Sequence, residues 1–452
     1  MNQTFNKTSK VRQLFHLLIP ILITQLGLYA MTFFDIMMSG QYHTVDVAGV
    51  SIGSSLWTPV YMGLGGVILA LTPVVSQLVG SKRTNSVPFS VIQALYLSVA
   101  IALSVLTVGT FTVNPILNMM DLEANVHQIA HDYLVALSFG IIPLFIYDTL
   151  RAFIDALGKT RVSMLITLGA LPINILLNYM LIYGKLGLPE LGGVGSGYAT
   201  AVTYWIIAIV AIIVVIRIHP FAVYNVFQKF YRISWKEWSS FLKIGIPIGL
   251  AVFFETSIFS AVTLLMSEYD TVTIASHQIA INFASLLYMI PLSISMALTI
   301  VIGFEVGAKR LKDAREYSLI GITMALSMAL LCATVLFFFR EAVASIYTQD
   351  QTVITLTTHF LLYAMFFQIS DALQAPIQGI LRGYKDVTMT FFMSLLSYWI
   401  LGLPIGYTLA NFFDMGPDGY WIGLIVGLAI GAIGLATRLR FIQRTNVLQK
   451  TS

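Results

Sequence analysis

Charge is scarce in this chain. Asp, Glu, Lys and Arg make up 10% of its 452 residues, against about 25% in an ordinary soluble domain. So few charges cannot cover a soluble globule. Disorder is excluded too, because it needs low hydrophobicity and high charge. Cysteine is nearly missing: Cys332 alone allows neither an internal disulfide framework nor a CxxC metal site. A basic excess is absent as well. Lys+Arg 25 against Asp+Glu 21 leaves +4, too even for a nucleic-acid binder. HExxH is absent and no nucleophile–base pair stands out, so an enzyme is not expected. What fills the chain is apolar, 57% of it, and an integral membrane protein follows.

Crossing a hydrocarbon core of roughly 30 Å takes about 20 apolar residues in a helix. Twelve such stretches are present, at 14–38, 48–79, 88–113, 127–150, 161–184, 194–217, 241–266, 275–307, 314–339, 354–379, 388–412 and 419–442. The alternating segments of a membrane β-barrel are contradicted by continuous runs such as Trp205 to Ile216. The first span is too long for a signal peptide and lacks a small-residue cleavage site. Loops on one side carry nearly all the basic residues, from Lys7, Lys10 and Arg12 through Lys309 and Arg310 to Arg382, Arg444 and Lys450. Only Lys185 and Arg340 fall on the other side. The positive-inside rule then predicts a multi-pass protein of the cell membrane with both termini in the cytoplasm.

The longest polar connection, 218–240, divides the chain into an expected amino-terminal lobe (1–217) and carboxy-terminal lobe (241–452) of six helices each. An offset of 227 positions lays Pro20-Ile21 on Pro247-Ile248 and Tyr61-Met62 on Tyr288-Met289. It also lays Val79-Gly80-Ser81-Lys82-Arg83 on Val306-Gly307-Ala308-Lys309-Arg310. Further on, Gly158 is set opposite Gly383, a slight drift of register. Six spans per half make the repeat parallel. The fold class expected is therefore an all-α polytopic membrane protein, two pseudo-symmetric six-helix bundles around a central cavity, as in transporters that bind substrate at a repeat interface.

Four acids fall inside spans: Asp35, Asp148, Glu255 and Asp371. Intramembrane carboxylates usually mark ion or proton paths. Asp148 stands three residues before Arg151, within helical pairing reach. Asp35, Glu255 and Asp371 have no Lys or Arg at their depth, so each must be protonated, bind a cation or meet water; a neutral acid bonded to a neighbouring helix is the plainer alternative. Asn174 and Asn178 share a helix face, and with Thr200 and Asp35 they offer oxygens that suit a hard cation such as Na⁺. Met31, Met37, Met38, Tyr363, Phe366 and Phe367 are candidates to line a pocket for apolar cations; ordinary packing is the competing role for each.

The chain resembles the multidrug and toxic compound extrusion (MATE) family over nearly its whole length. The resemblance rests on Pro20-Ile21, Phe34-Asp35-Ile36-Met37-Met38-Ser39-Gly40, Val47-Ala48-Gly49-Val50-Ser51-Ile52-Gly53, Leu71-Thr72-Pro73, Gln77-Leu78-Val79-Gly80 and Leu157-Gly158-Lys159-Thr160. Glu255 and Asp371 are similar to the acids of its NorM-like branch. The resemblance implies efflux of organic cations and drugs in exchange for H⁺ or Na⁺, with no cofactor, and a monomer in the lipid bilayer is expected. It implies that Asp35, Glu255 and Asp371 bind the coupling cation and that Asn174, Asn178 and Thr200 complete the first-half site. That makes Asp35, Asn174, Asn178 and Thr200 the metal ligands if the ion is Na⁺. Two departures stand out. Asn178 replaces an aspartate of some members, and Phe367 replaces a tyrosine. The alternative activity is a lipid-linked precursor flippase of the same broader superfamily, which would need cationic residues in its cavity.

Overall fold

The structure is a computed structural model that describes residues 3–120 and 122–448, with side chains to residue 445. Lys450 lies outside the described residues. All regular structure among those residues is helical. The helices are α1 (Lys7–Tyr42), α2 (Thr44–Ile68), α3 (Leu71–Gly80), α4 (Val87–Asn118), α5 (Ala124–Ser138), α6 (Ile141–Ala156), α7 (Thr160–Ile182) and α8 (Val194–Arg217). In the second half they are α9 (Trp235–Met266), α10 (Thr271–Gly307), α11 (Leu311–Tyr347), α12 (Gln351–Gly383), α13 (Thr388–Ser394), α14 (Leu403–Phe412) and α15 (Pro417–Leu448). Taking α2 with α3, and α13 with α14, as single spans, eleven are long and apolar enough to cross a membrane. The bent pair α5 and α6, at 51°, makes a twelfth, where the sequence predicts one span at 127–150.

The repeat is written into the helix ends. α2 begins at Thr44 and α10 at Thr271; α3 ends at Gly80 and α10 at Gly307. Each pair differs by 227. The residues before these starts cap them: the His43 ring accepts from the Val45 N–H at 3.3 Å, and the Asp270 carboxylate accepts from that of Thr273 at 3.1 Å. Asp350 does the same for α12 through Thr352 at 2.9 Å. The bonds from Thr273 and Thr352 hold the Asp270 and Asp350 carboxyls below the usual carboxylate range, as an N-cap should. At the other ends Lys82 (φ 60) and Lys309 (φ 57) take left-handed backbone. The next residue's N–H reaches back to Leu78 O and Glu305 O, at 2.9 and 2.8 Å. This closure satisfies carbonyls that the helix end would otherwise orphan.

Gly158 (φ 74) and Lys385 (φ 62) form the third such pair, followed by bonds from Lys159 N to Ile154 O and from Asp386 N to Leu381 O. The partner of Gly158 is therefore Lys385 and not Gly383. The offset is still 227, and the drift read from sequence is corrected. Matching glycine to glycine is misleading here, because Lys385 adopts the backbone that glycine usually supplies.

Contacts divide the chain into two compact units. One is Pro20–Gly245; the other combines the described residues of Asn2–Ile19 with those of Ile246–Ser452. The connection at 218–240 belongs to the first unit. Gln93 on α4 donates to Arg232 O at 2.7 Å and accepts from Ser234 N at 2.9 Å. Phe221 is buried against Phe153. The start of α1 belongs to the second unit because Lys10, fully buried, ion-pairs with Asp313 and Glu316, each at 2.5 Å.

Each unit has its own apolar core. In the first, Met31, Val75, Leu95, Leu150 and Phe153 are among its members. In the second, Ile258, Phe360, Phe367, Trp421 and Leu428 are. One irregularity lies close to the acids of the second unit. Between α13 and α14 the helix widens into a π-helical stretch, Leu395–Gly402, a feature frequent at functional sites. It carries Tyr398.

Candidate cation sites in the two units

In the first unit, three helices bring together residues distant in sequence. Asp35 comes from α1, Asn174 and Asn178 from α7, and Thr200 from α8. Asn178 Nδ2 donates to Asp35 Oδ1 at 2.6 Å, and Thr200 Oγ1 donates to Asp35 Oδ2 at 2.7 Å. Asn174 Nδ2 donates to Thr200 Oγ1 at 3.2 Å, and Asn178 Nδ2 is also shared with Asn174 Oδ1 at 3.3 Å. All four residues are buried. The local reason is spacing: residues four apart on α7 stand one above the other, so both amides reach the same cluster. Asn178 Oδ1 is buried with no hydrogen-bond partner. An orphaned buried oxygen is costly, and it sits beside a carboxylate, so a cation or a proton donor there would gain both. Among the described residues no three His, Cys, Asp or Glu side chains gather as metal ligands. A cation held here would therefore lean on neutral oxygens around one carboxylate.

Asp148 stands apart from that cluster; Arg151 interacts with it electrostatically but makes its ion pair elsewhere. Arg151 points along the helix to Asp155, with Nε 3.6 Å from Oδ2, and donates to Gln25 Oε1 at 2.8 Å. Asp155 also accepts from Ser163 Oγ at 2.5 Å. Asp148 is served by Tyr61 Oη at 3.1 Å. Three and four residues are both within helical reach; the i,i+4 acid is the one that pairs here.

In the second unit, Glu255 on α9 and Asp371 on α12 are both buried and interact electrostatically. Glu255 Oε1 accepts from Tyr398 Oη at 3.2 Å and from Tyr288 Oη at 3.5 Å. Gln374 Nε2 donates to Tyr398 Oη at 3.2 Å. The repeat thus supplies one tyrosine per unit to an acid inside a span: Tyr61 to the half-buried Asp148, Tyr288 to the buried Glu255. Among the described residues no ion pair within 4 Å joins Glu255 to a Lys or Arg; one buried arginine nevertheless belongs to this unit. Arg382, at the end of α12, is buried, donates to Ser295 Oγ at 3.3 Å and interacts electrostatically with Glu255. A span boundary locates the Cα; the long arginine side chain reaches well beyond it.

The pocket candidates are placed individually. Met31 and Phe367 belong to the cores, Phe367 against Phe259 with ring centroids 5.6 Å apart. Met38 is buried, Met37 and Tyr363 are half-buried, and Phe366 is exposed. Met31, Met38 and Phe367 therefore offer little surface to a bound molecule in this conformation, because neighbouring side chains already cover them. Sequence alone does not single out Tyr288, Tyr398, Gln374, Gln378, Arg382 or Asp155. For three of them a signal exists: Gln374, Gln378 and Arg382 follow Asp371 at helical spacing on an otherwise apolar helix.

Comparison with known proteins adds independent findings. The MatE family model matches residues 20–180 and again 247–408, one match in each half. A Bacillus subtilis protein named probable multidrug resistance protein NorM is 57% identical over 444 residues, 98% of each chain. The protein of that name from Halalkalibacterium halodurans is 58% identical over 427 residues, 94% of this chain and 93% of its own. Among solved structures, the eukaryotic MATE transporter AtDTX14 superposes with a TM-score of 0.88 at 20% identity, covering 97% of this chain and 98% of its own. The Vibrio cholerae MATE transporter VcmN, in its bent form, gives 0.85 at 19% identity over 98% and 99%. At these identities the structural likeness concerns the fold alone.

Proposed function

The chain belongs to the MatE family, and from that premise we propose that it is a multidrug efflux antiporter of the cell membrane. It exports organic cations and drugs in exchange for H⁺ or Na⁺ by alternating access, with both termini in the cytoplasm. The observation that carries the exchange is the buried Asp35 with its neutral partners Asn174, Asn178 and Thr200. A carboxylate enclosed in this way takes up one monovalent cation or proton with a large change in local charge. The relatives' names support the substrate class, and the bias of Lys and Arg supports the orientation.

The coupling follows from charge competition. An ion arriving at the acids from outside neutralises them and weakens the hold on a cationic drug, which leaves. The ion then departs inward. It drives the cycle only to the extent that it binds one conformation better than the other. A lipid-linked precursor flippase would need uncompensated cations to meet a polyanionic headgroup. Arg151 and Arg382 are buried, but Asp155 and Glu255 accompany them.

The test is efflux of a fluorescent cation from cells and everted vesicles, driven in turn by a pH gradient and by a Na⁺ gradient. One gradient is expected to drive efflux, and that gradient names the ion. Glu255→Gln and Asp371→Asn are each expected to lower the driven rate by about tenfold, the equivalent of roughly 1.4 kcal/mol. If both variants kept wild-type efflux, coupling through the second unit would be wrong.

A further inference from the structure

The connection between α8 and α9 exposes large apolar side chains in the most polar stretch of the chain. Phe230 is 90% exposed and Trp235 74%, and Val223 and Ile233 are exposed beside them. Basic residues alternate with the rings: Lys229, Arg232 and Lys236 are all exposed, as are Arg217 before them and Lys243 after. Between Arg217 and Lys243 the one acid is Glu237, which accepts from Ser90 Oγ on α4 at 3.3 Å. None of the five cations forms an ion pair among the described residues.

The backbone beneath these side chains is fixed. Gln93 on α4 holds Arg232 O and Ser234 N, while the Arg232 side chain is exposed. Trp235 packs edge-on against Trp238 with centroids 5.2 Å apart, and Trp238 packs on the core of the first unit. Tyr231 packs edge-on against Phe89 at 5.4 Å. That contact places the connection. Phe89, Tyr96 and Leu103 recur every seventh residue along α4, so they share one side of the helix. Leu103 lies well inside a membrane span and is exposed; the exposed apolar flank of a spanning helix is its lipid side. Tyr231 covers the cytoplasmic end of that same flank, so the outer face of the connection runs on from a lipid-facing surface.

We propose that residues 227–236 anchor the first unit in the inner leaflet and hold an acidic phospholipid there. Phe230, Ile233 and Trp235 enter the interface, where amphipathic rings such as that of tryptophan gather. Lys229, Arg232 and Lys236 meet the headgroup phosphate, as basic clusters beside a membrane helix do. The occupant is a lipid because apolar and basic residues alternate on a strip continuous with the lipid side of α4. A soluble anion would engage the cations and leave Phe230 and Trp235 in water. Since α9 begins at Trp235, the bound lipid also fixes where that helix starts. The assignment to the inner leaflet rests on the orientation proposed above.

The test uses the full-length protein, purified in detergent and stripped of lipid. Native mass spectrometry is expected to show phosphatidylglycerol bound roughly tenfold more tightly than phosphatidylcholine, or better. Lys229→Gln, Arg232→Gln and Lys236→Gln together are expected to bring that ratio below about twofold. The three side chains are exposed, and Gln93 bonds the Arg232 main chain, so the variant keeps its fold. Lys7→Gln, Arg12→Gln and Lys312→Gln remove as much exposed charge from the second unit and are expected to keep the ratio. Glycerol phosphate, a headgroup without chains, is not expected to displace the lipid at equal concentration. In phosphatidylglycerol vesicles, a nitroxide carried by Phe230→Cys in Cys332→Ser protein is expected to be reached by oxygen and shielded from a water-soluble nickel complex. The proposal falls if the first triple variant keeps the wild-type ratio or the second loses it. It falls equally if glycerol phosphate displaces the lipid or the nitroxide lies in water. A wrong orientation looks different: a membrane-impermeant maleimide added outside intact cells would label the same cysteine while the lipid ratio stood.

Discussion

Asp35→Asn is expected to abolish most gradient-driven efflux while leaving the protein in the membrane at its normal level. The substitution preserves size and shape. It removes the only ionisable side chain from a cluster whose other members, Asn174, Asn178 and Thr200, are neutral. It also sets an amide donor against two donors, Asn178 Nδ2 and Thr200 Oγ1, which now hold the carboxylate at 2.6 and 2.7 Å. A loss of tenfold or more in the driven rate, about 1.4 kcal/mol or greater, follows if the charge is what exchanges. Asn178→Ala and Thr200→Val each remove one donor and keep the charge. They are expected to fall between the wild type and Asp35→Asn, since a hydrogen bond to a charged group contributes about 1.5–3 kcal/mol to the state that makes it and the remaining donor persists. The measurement is initial efflux rate in everted vesicles, normalised to membrane protein. Asp35→Asn retaining more than half of wild-type efflux would remove this cluster from the mechanism.

Much of the fold was legible because membrane insertion simplifies the code. A helix that must satisfy its own backbone in lipid needs a long apolar run, and such runs are visible. Pairing across helices was legible only where a polar residue is rare. Asp35, Asn174, Asn178 and Thr200 stand out in apolar surroundings, and the structure joins them by hydrogen bonds. What spacing could not show was side-chain direction. Asp148 precedes Arg151 by three residues, yet Arg151 turns to Asp155 and Asp148 to Tyr61. Arg382 reads as a loop cation because its backbone lies near a helix end, whereas its side chain is buried and donates to Ser295 Oγ on α10. The π-helical stretch that carries Tyr398 to Glu255 leaves no mark in a hydropathy pattern, since widening a helix by one residue changes which neighbours meet but not how apolar they are.

The two units use the same helix ends for different electrostatics. The offset that lays Gly158 on Lys385 also lays Asp155 on Arg382 and Arg151 on Gln378. In the first unit the acid–base pair is contained within α6, Arg151 with Asp155, and the acid of the candidate site, Asp35, has neutral partners. In the second unit the arginine occupies the aspartate's place and its side chain crosses to Ser295 on α10. A duplicated scaffold has kept its caps and closures, which the backbone demands, while its buried charges have diverged. The two candidate sites are therefore not interchangeable, and a swap of Asp155 and Arg382 between the units would not be neutral.

Gly423→Val is expected to cost the second unit its fold. Along α15, Gly419, Gly423, Gly427 and Gly431 recur every fourth residue and so form one stripe. Gly402 begins, and Gly406 and Ala410 continue, a matching stripe on α14. Small residues at this spacing let two membrane helices approach backbone to backbone. Here the approach is complete: a Cβ on Gly423 would lie 2.5 Å from Gly402 O and 2.5 Å from Gly406 N, and one on Gly419 would lie 2.8 Å from Ala410 Cα. Those neighbours are main chain, so no rotamer change relieves the clash, and the helices must separate. Separation uncovers Tyr420, Trp421 and Leu424, buried in the core of this unit. Overpacking a tight site costs about 1–3 kcal/mol when side chains can yield; against backbone the larger end or more is expected. The measurement is the midpoint of thermal unfolding in detergent together with the monodisperse fraction on size exclusion. Both should fall sharply for Gly423→Val, and measurably for Gly423→Ala. The control is Gly109 on α4, where an added Cβ meets nothing within 4 Å. Replacing a glycine inside a helix by alanine there should raise stability by roughly 0.5–1 kcal/mol and leave efflux intact. If Gly423→Val unfolded at the wild-type temperature, α14 and α15 would not be packed as closely as this stripe requires.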